Sequence, residues 1–303
     1  MYDAVIIGAG TAGMTAGIYL ARQGKRAIIL EGNTYGGQIV NSLGVENYPG
    51  IKNISGFDFA TALYEQVLEL GGEIDYGEVV GIKVNDNSKT VLTADKEYEC
   101  ERVIIATGAA NRNLGVDGEE DLVGLGVSYC ATCDGAFFRD RTVAVIGGGN
   151  TAVEDALFLA KICKKVYLVH RRAELRADRI LQEHVLSCPN VEILWDCVPA
   201  EITGGEQVTG LAIRNVRRGE ERELSVDGVF VAVGILPNTE LLHGLAKLDE
   251  NGYVRAGEDC ATSAQGIFAA GDIRTKALRQ VVTAAADGAN AITAVQRYLR
   301  GER

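Results

Sequence analysis

The stretch Ala4-Val5-Ile6-Ile7-Gly8-Ala9-Gly10-Thr11-Ala12-Gly13 decides the fold, because its pattern returns as Val143-Ala144-Val145-Ile146-Gly147-Gly148-Gly149-Asn150-Thr151-Ala152. Each copy is an apolar strand, a glycine-rich turn and the start of a helix. The first helix reads on to about Gln23, is closed by Gly24, and is followed by a strand from Arg26 to Leu30. The second reads to about Ile162 and is followed by a strand from Val166 to Val169. A later apolar run completes each unit: Arg102 to Gly108 in the first, Val229 to Gly234 in the second. Strands this continuously apolar belong to a parallel sheet covered on both faces. The expected fold class is α/β, with two Rossmann-like dinucleotide-binding domains.

The C-terminal segment has no glycine-rich strand turn of its own. Gly266-Ile267-Phe268-Ala269-Ala270-Gly271-Asp272 reads as one more buried strand, with a helix from about Arg279 to Leu299. We expect it to complete the first domain. Residues 1–112 and 243–303 would then form one discontinuous domain, and 113–242 a second domain inserted within it. Candidate hinges lie near Asn111 to Gly115 and Pro237 to Gly244, where Gly, Pro and Asn cluster.

Composition narrows the classes of function. In a chain of 303 residues, 47% apolar and 23% charged residues are the balance of globular domains with a sizeable core, which excludes disorder. No apolar run approaches the roughly 18 residues of a membrane helix. The chain enters a strand almost at once, without the pattern of a secretory leader, so a cytoplasmic protein is expected. A formal charge of −11 is the wrong sign for gripping nucleic acid. Neither nucleic acid nor membrane is an expected partner. Seven cysteines, an odd total, suit a reducing compartment better than a fully paired disulfide framework.

In a glycine turn of this kind the first Gly permits the bend, the second lets a pyrophosphate approach the backbone, and the third lets helix pack on strand. The helix N-terminus then offers unpaired N–H groups to phosphate. The residues ending the second strand of each unit separate the two sites. Glu31 is a carboxylate suited to ribose hydroxyls, as in FAD or NAD. His170-Arg171-Arg172 and Arg176 stand at the equivalent place, where guanidinium groups can hold the 2′-phosphate of NADP. A solvated basic pair is the other reading of Arg171 and Arg172.

Cys130-Ala131-Thr132-Cys133-Asp134 holds the only close pair of cysteines. Thiols at this spacing can close and exchange a disulfide. The competing reading is half of a zinc site, but the other five Cys and the three His supply no complementary spacing, and no metal is expected. Asp134 reads either as a proton donor and acceptor for the thiols or as an exposed turn carboxylate. These parts imply an electron route from NADPH to a flavin and then to the disulfide, with reacting atoms about 3–3.5 Å apart. If nicotinamide and disulfide compete for one flavin face, the inserted domain must swing about its hinges.

The string Val127 to Phe138, the Gly147 to Glu154 turn and His170 to Arg176 resemble the bacterial, low-molecular-weight thioredoxin reductases. So do Gly36-Gly37-Gln38, Glu46 to Gly50, Ala106-Thr107-Gly108, Ala270-Gly271-Asp272 and Arg279-Gln280-Val281. The resemblance runs along essentially the whole chain, in order. It implies an NADPH-dependent thioredoxin-disulfide reductase: a homodimer, with FAD in the first domain and thioredoxin as protein substrate. Gly8, Gly10, Thr11, Ala12, Gly13, Glu31, Gly36, Gly37 and Gln38 would contact the adenine half or pyrophosphate of FAD. Asn47, Gly271, Asp272, Arg279, Gln280 and Val281 would line its ribityl and flavin end, with Ala106, Thr107 and Gly108 also at the cofactor. Gly147, Gly149, Asn150, Thr151, Glu154, His170, Arg171, Arg172 and Arg176 would hold NADPH. Cys133 matches the thiol beside the flavin, Cys130 the thiol that attacks thioredoxin, and Asp134 the acid/base. Phe137 and Phe138 match an apolar loop that meets thioredoxin. Asp117 departs from the pattern, standing where a Pro is common.

Other readings remain at this point. A related flavin enzyme could use ferredoxin as donor or a glutaredoxin-like protein as acceptor, although the Arg cluster argues for a pyridine nucleotide. A non-catalytic redox sensor has no need of a second complete nucleotide site. A dithiol oxidase has no need of the arginines.

Overall fold

The structure, a computed structural model, describes residues 1–42, 44–85 and 88–299, without the side chains of 297–299. The chain forms two compact units. One comprises Met1–Val40, Val45–Ala110 and the chain from Leu236 onward; the other comprises Asn41–Gly44 and Asn111–Ile235.

The first unit opens with β1 (Tyr2–Ile7), α1 (Thr11–Arg22), β2 (Ala27–Glu31), α2 (Gly56–Glu69), β3 (Glu73–Tyr76), β4 (Val79–Val84), β5 (Lys89–Thr93), β6 (Glu97–Ile105) and β7 (Ala109–Asn111), the last of which leads into the second unit. There follow β8 (Val127–Ser128), the one-turn α3 (Ala131–Asp134), β9 (Thr142–Ile146), α4 (Asn150–Ala160), β10 (Lys165–His170), α5 (Arg179–Ser187), β11 (Val191–Trp195), β12 (Cys197–Gly204), β13 (Val208–Asn215), β14 (Glu221–Ser225) and β15 (Gly228–Val231). The chain returns along β16 (Ile235–Pro237), which pairs with β7, and ends with β17 (Ile267–Ala269) and α6 (Val281–Leu299).

In the first unit β1 lies parallel to β2 and β6, and β3 extends the sheet beyond β2. Strand β6 does two jobs. Its alternating start, with Glu97 and Glu99 exposed and Tyr98 and Cys100 buried, pairs antiparallel with β5; its apolar end pairs parallel with β17. The C-terminal segment thus adds a strand to the first sheet. Helix α6 packs on α1 at Gly288, where a side chain would collide with the Ala12 carbonyl and Thr15. Ile6, Met14, Leu20, Ile29, Ile104 and Ile292 form the core under these helices, and Ile7, Leu30, Val103, Ile105 and Ile267 fill the other face. Helix α6 starts at Val281 rather than Arg279, because the Gln280 N–H donates to the Thr283 hydroxyl at 3.1 Å and the Gln280 carbonyl accepts the first helical bond.

The second unit has a five-stranded parallel sheet in the order β11-β10-β9-β15-β8, with an antiparallel sheet β12-β13-β14 beside it. One face is covered by α4 and α5, whose Val153, Leu159 and Val185 join Phe230 of β15 in one core; the other carries Ile146, Val169, Leu211 and Leu224. The two-domain dinucleotide-binding fold expected from the repeated turn is the fold adopted. Both antiparallel additions, β4-β5-β6 and β12-β13-β14, go beyond that expectation. Among the described residues no helix is long and apolar enough to cross a membrane.

Candidate active site

Cys130 and Cys133 are joined by a disulfide at the start of α3. The Cys130 carbonyl accepts the N–H groups of Cys133 at 3.2 Å and Asp134 at 3.1 Å, so the closed turn is set by the backbone of the pair itself. Asp134 is the last residue of that turn. Its Oδ2 accepts the Ser128 hydroxyl at 2.6 Å and its Oδ1 the Ser42 hydroxyl at 3.3 Å. Burial pushes its carboxyl above the ordinary range, and the two hydroxyls pull it back only in part. No charged side chain among the described residues acts on it. It is therefore a carboxyl next to Cys133 in the chain that holds a proton more readily than an exposed aspartate.

The first glycine turn is built by close approach. Gly8 has φ +104°, and a Cβ there would stand 2.5 Å from the Ala106 carbonyl oxygen; a Cβ on Gly13 would overlap the Gly8 carbonyl. Gly10, by contrast, faces open space, its nearest potential contact being the Gly36 carbonyl at 3.9 Å. It precedes α1, whose N-terminus has no side-chain cap. Thr11, Ala12 and Gly13 form the buried first turn of α1, and Gly36 and Gly37 run alongside Gly10. The Glu31 carboxylate accepts the N–H of Ala9 at 2.7 Å and of Asn33 at 2.9 Å, which ties the end of β2 to the turn.

Further along the first unit, Gln38 Nε2 donates to the Ala109 carbonyl and Asn47 Nδ2 to Gln280 Oε1. Thr107 and Asn238 exchange hydrogen bonds of 2.7 and 2.8 Å, and the Asn238 N–H donates to the Gly108 carbonyl, which fixes the backbone of Ala106, Thr107 and Gly108. Asp272 Oδ1 is buried without a hydrogen-bond partner, and Lys276 Nζ is 4.0 Å away. Burial raises the Asp272 carboxyl pKa despite Lys276 and Arg279. Arg279 lies with its guanidinium 3.9 Å over the Tyr253 ring and donates to the Asp272 carbonyl.

The second turn repeats the plan with one difference. Gly147 passes 2.5 Å, Cβ to oxygen, from the Ala232 carbonyl, and Gly149 has open space around it before the uncapped N-terminus of α4. Gly148 is filled from below, because a Cβ there would lie on the His170 ring. Asn150 and Asp178 exchange two hydrogen bonds of 2.8 Å, and Thr151 and Glu154 are exposed on the first turn of α4. Arg171, Arg172 and Arg176 are all exposed. The Arg176 N–H donates to the Gly148 carbonyl at 2.7 Å, which holds the basic loop against the turn. Among the described residues no His/Cys/Asp/Glu cluster could hold a metal ion.

Comparison with known proteins gives these parts a family. Residues 2–288 match the family model described as pyridine nucleotide-disulphide oxidoreductase. The thioredoxin reductase of Listeria monocytogenes is 44% identical over 99% of this chain and 94% of its own length, and that of Bacillus subtilis 42% over 99% and 95%. The crystal structure of thioredoxin reductase from Streptococcus pyogenes superposes with a TM-score of 0.95, at 46% identity and 99% coverage of both chains. This chain belongs to the bacterial, low-molecular-weight thioredoxin reductase family. Two of the expected site residues lie inside the fold. His170 is 4% exposed, with Nε2 2.9 Å from the Glu174 carbonyl and its ring beneath Gly148. Burial, with Arg176 and Arg172 nearby, also lowers its pKa. Phe138 is 6% exposed and packs edge-on against Phe230; only Phe137, at 37%, reaches the surface.

Other residues that brace these parts carry no signal in the sequence. Ser128 and Ser42 reach Asp134, and Asn238 braces the Thr107 turn. Asp287 is 3% exposed and receives Gly271, Arg274 and Lys276. Glu119, 1% exposed, accepts the N–H groups of Leu114 and Gly115 and the Tyr129 hydroxyl, which anchors the residue before Cys130. No spacing rule marks these side chains. Their partners come from other segments.

Proposed function

We infer that this protein is an NADPH-dependent thioredoxin-disulfide reductase. The observation that carries the reading is the Cys130–Cys133 disulfide followed by a carboxyl held above its ordinary pKa, in a chain with two open glycine cradles. The residues fit the cofactors. Gly10 and Gly149 leave room where a Cβ would intrude, the helices behind them are uncapped, and buried Asp272 Oδ1 has no hydrogen bond of its own.

In this reading residues 1–112 and 243–303 bind FAD, and 113–242 bind NADPH. Bound FAD supplies a two-electron carrier between the nicotinamide and the disulfide. Gly8 to Gly13, with Gly36, Gly37 and Gln38, hold its pyrophosphate half; Glu31 serves the ribose; Asn47, Thr107, Asp272 and Arg279 to Val281 hold the other end. Arg171, Arg172 and Arg176 hold the 2′-phosphate of NADPH, and Gly149, Asn150 and Thr151 its pyrophosphate. Reduction of the disulfide takes two electrons and two protons and leaves two thiols. Asp134, as carboxylate, takes a thiol proton on an Oδ, and the Cys130 thiolate attacks the thioredoxin disulfide. Cys133 then gives up its proton and attacks the Cys130 sulfur in the mixed disulfide, which re-forms the internal bond and releases the second thioredoxin sulfur; the two protons from Cys130, by way of Asp134, and from Cys133 end on the two thioredoxin thiols. Exposed Phe137 is the apolar contact proposed for thioredoxin. A homodimer and a cytoplasmic location complete the proposal, supported by the family and by the odd cysteine total.

The test compares turnover with NADPH and NADH in the presence of purified thioredoxin. Charge-assisted bonds from the arginines favour NADPH by about tenfold to a hundredfold each. Arg171→Ala and Arg172→Ala should erode that preference, and Cys130→Ser should abolish thioredoxin reduction. Equal use of NADH, or turnover that survives loss of Cys130, defeats the assignment. The second reading, a relative supplied by ferredoxin, would be favoured by turnover with neither nucleotide.

A further inference from the structure

Ser128 ends β8 two residues before the reactive pair and is 5% exposed. Its hydroxyl oxygen stands at a three-way junction. It lies 2.6 Å from Asp134 Oδ2, 3.1 Å from the Cys130 nitrogen and 3.4 Å from the Cys130 carbonyl oxygen. A hydroxyl has one proton to donate and two lone pairs. The Cys130 N–H takes one lone pair in every state, so the proton must choose between Asp134 and the Cys130 carbonyl.

We propose that Ser128 is a positioning residue whose hydroxyl rotor transmits the protonation of Asp134 to the backbone of Cys130. When Asp134 is a carboxylate, Ser128 donates to Oδ2. When Oδ2 carries a proton, Asp134 becomes the donor, Ser128 accepts both it and the Cys130 N–H, and the serine proton turns to the Cys130 carbonyl. Every polar atom of the junction is thus served in both states, so a half-buried carboxyl can change charge without leaving an orphan. The two states are unequal, however. The Cys130 carbonyl already accepts the Cys133 and Asp134 N–H groups, and a third donor competes with them. Protonation of Asp134 therefore loosens the turn that holds the two sulfurs together.

Among the described residues the other group on the carboxyl is Ser42, which meets Oδ1 at 3.3 Å, and no charged group acts on it from the elements around it. The bond from Ser128 favours the ionised form and opposes the effect of burial.

The inference rests on Asp134 as the acid/base, and the experiment separates the two. The pH dependence of kcat for thioredoxin reduction is measured for the flavin-loaded wild type and for Ser128→Ala, Ser128→Thr and Asp134→Asn. The infrared carboxylic-acid band of Asp134 is followed by isotope-labelled difference spectra against pH. Ser128→Ala should move the Asp134 titration, and the matching limb of the pH profile, upward by about one to two pH units. Ser128→Thr, which keeps the hydroxyl, should restore both. Ser128→Cys keeps the volume with a weak donor and should fall between them, which removes a mere packing effect. Loss of the limb in Asp134→Asn, with Ser128→Ala coincident with wild type, overturns the Ser128 inference alone. A Ser128→Thr shift as large as that of Ser128→Ala does the same. Retention of both rate and limb in Asp134→Asn overturns the acid/base reading and the inference with it.

Discussion

Asp287→Asn removes the anion from a buried ion-pair cluster and should cost the fold heavily. Asp287 lies in α6, 3% exposed, and its carboxylate accepts four donors: Gly271 N–H at 2.9 Å, Arg274 Nε at 2.8 Å and Nη2 at 2.5 Å, and Lys276 Nζ at 2.8 Å. The Arg274 and Lys276 side chains are themselves only 9% and 6% exposed. Burial pushes the Asp287 carboxyl up, but the hydrogen bonds and charges of Arg274 and Lys276 outweigh it and leave the pKa below the ordinary range. An amide of the same shape keeps some hydrogen bonds and removes the charge, so two buried cations lose their counter-ion. Breaking a buried ion pair from one side costs about 3–5 kcal/mol. At about 2–4 °C per kcal/mol for a unit of this size, the thermal midpoint of the flavin-loaded protein should fall by roughly 6–20 °C in calorimetry. The pH dependence has a definite sign. A depressed folded-state pKa gives stability that is fully present above the unfolded value of about 4 and is lost as pH falls through the folded pKa. The gap between wild type and Asp287→Asn should therefore narrow in acid. Adding Arg274→Met to Asp287→Asn should recover part of the loss, since it removes one stranded charge. A midpoint within about 1 °C of wild type at pH 7, or a gap that widens in acid, refutes this reasoning.

The two glycines of the second turn should behave oppositely. Gly148→Ala drives a Cβ into the His170 ring and should cost about 1–3 kcal/mol in urea denaturation, whereas Gly149→Ala meets nothing and should change stability by no more than about 0.5 kcal/mol while raising the KM for NADPH. Equal stability losses would show that the turn is not built as described. The thiols should also fall into classes. Burial raises Cys100 and Cys163 to about 11 and Cys260 to about 12, so at pH 8 a chromogenic thiol reagent should modify only Cys188 and Cys197 in the folded oxidised protein and all five free cysteines after unfolding. Rapid reaction of a third thiol without unfolding contradicts the packing around these three.

The parts legible in the sequence were those written in a contiguous pattern. Gly8 and Gly147 each follow a run of apolar strand residues, and the collisions that demand glycine there come from the neighbouring strand end, Ala106 or Ala232, at a fixed place in the motif. The arginines proposed for the 2′-phosphate were read from their place directly after β10, where they are exposed. The burial of His170 could not be read in the same way, because its neighbours Arg171 and Arg172 point to solvent while it turns inward beneath Gly148. Phe137 and Phe138 are adjacent in one tight turn and so face opposite ways, a split that no resemblance of motif can assign. Asp287 reads as a polar residue on an alanine-rich helix, since Arg274 and Lys276 reach it from a loop 13 and 11 residues away, at no helical spacing. Ser42 meets Asp134 across 92 residues, and Ser128 has nothing in its surroundings in sequence to separate it from any other strand serine.

Three aspartates with the same letter in the sequence are given different uses by what surrounds them. Asp134 is half-buried with two hydroxyls and, among the described residues, no cation, so its carboxyl holds a proton more readily than an exposed aspartate. Asp287 is buried with two cations, so it stays charged and holds the fold. Asp272 lies between these cases, and Lys276 decides it. That ammonium sits 2.8 Å from Asp287 and 4.0 Å from Asp272 Oδ1, a choice imposed by Asp287 being the better-placed anion. Because Asp287 takes the lysine, Asp272 is left with a raised pKa and a buried oxygen that has no hydrogen-bond donor among the described residues. A buried acceptor without a partner is costly unless a ligand supplies the donor. The same ion pair that secures α6 thus keeps the carboxyl of Asp272 available, and replacing Asp287 should weaken flavin retention even where the fold survives, because the freed Lys276 can then turn to Asp272 and fill the place of the ligand's donor.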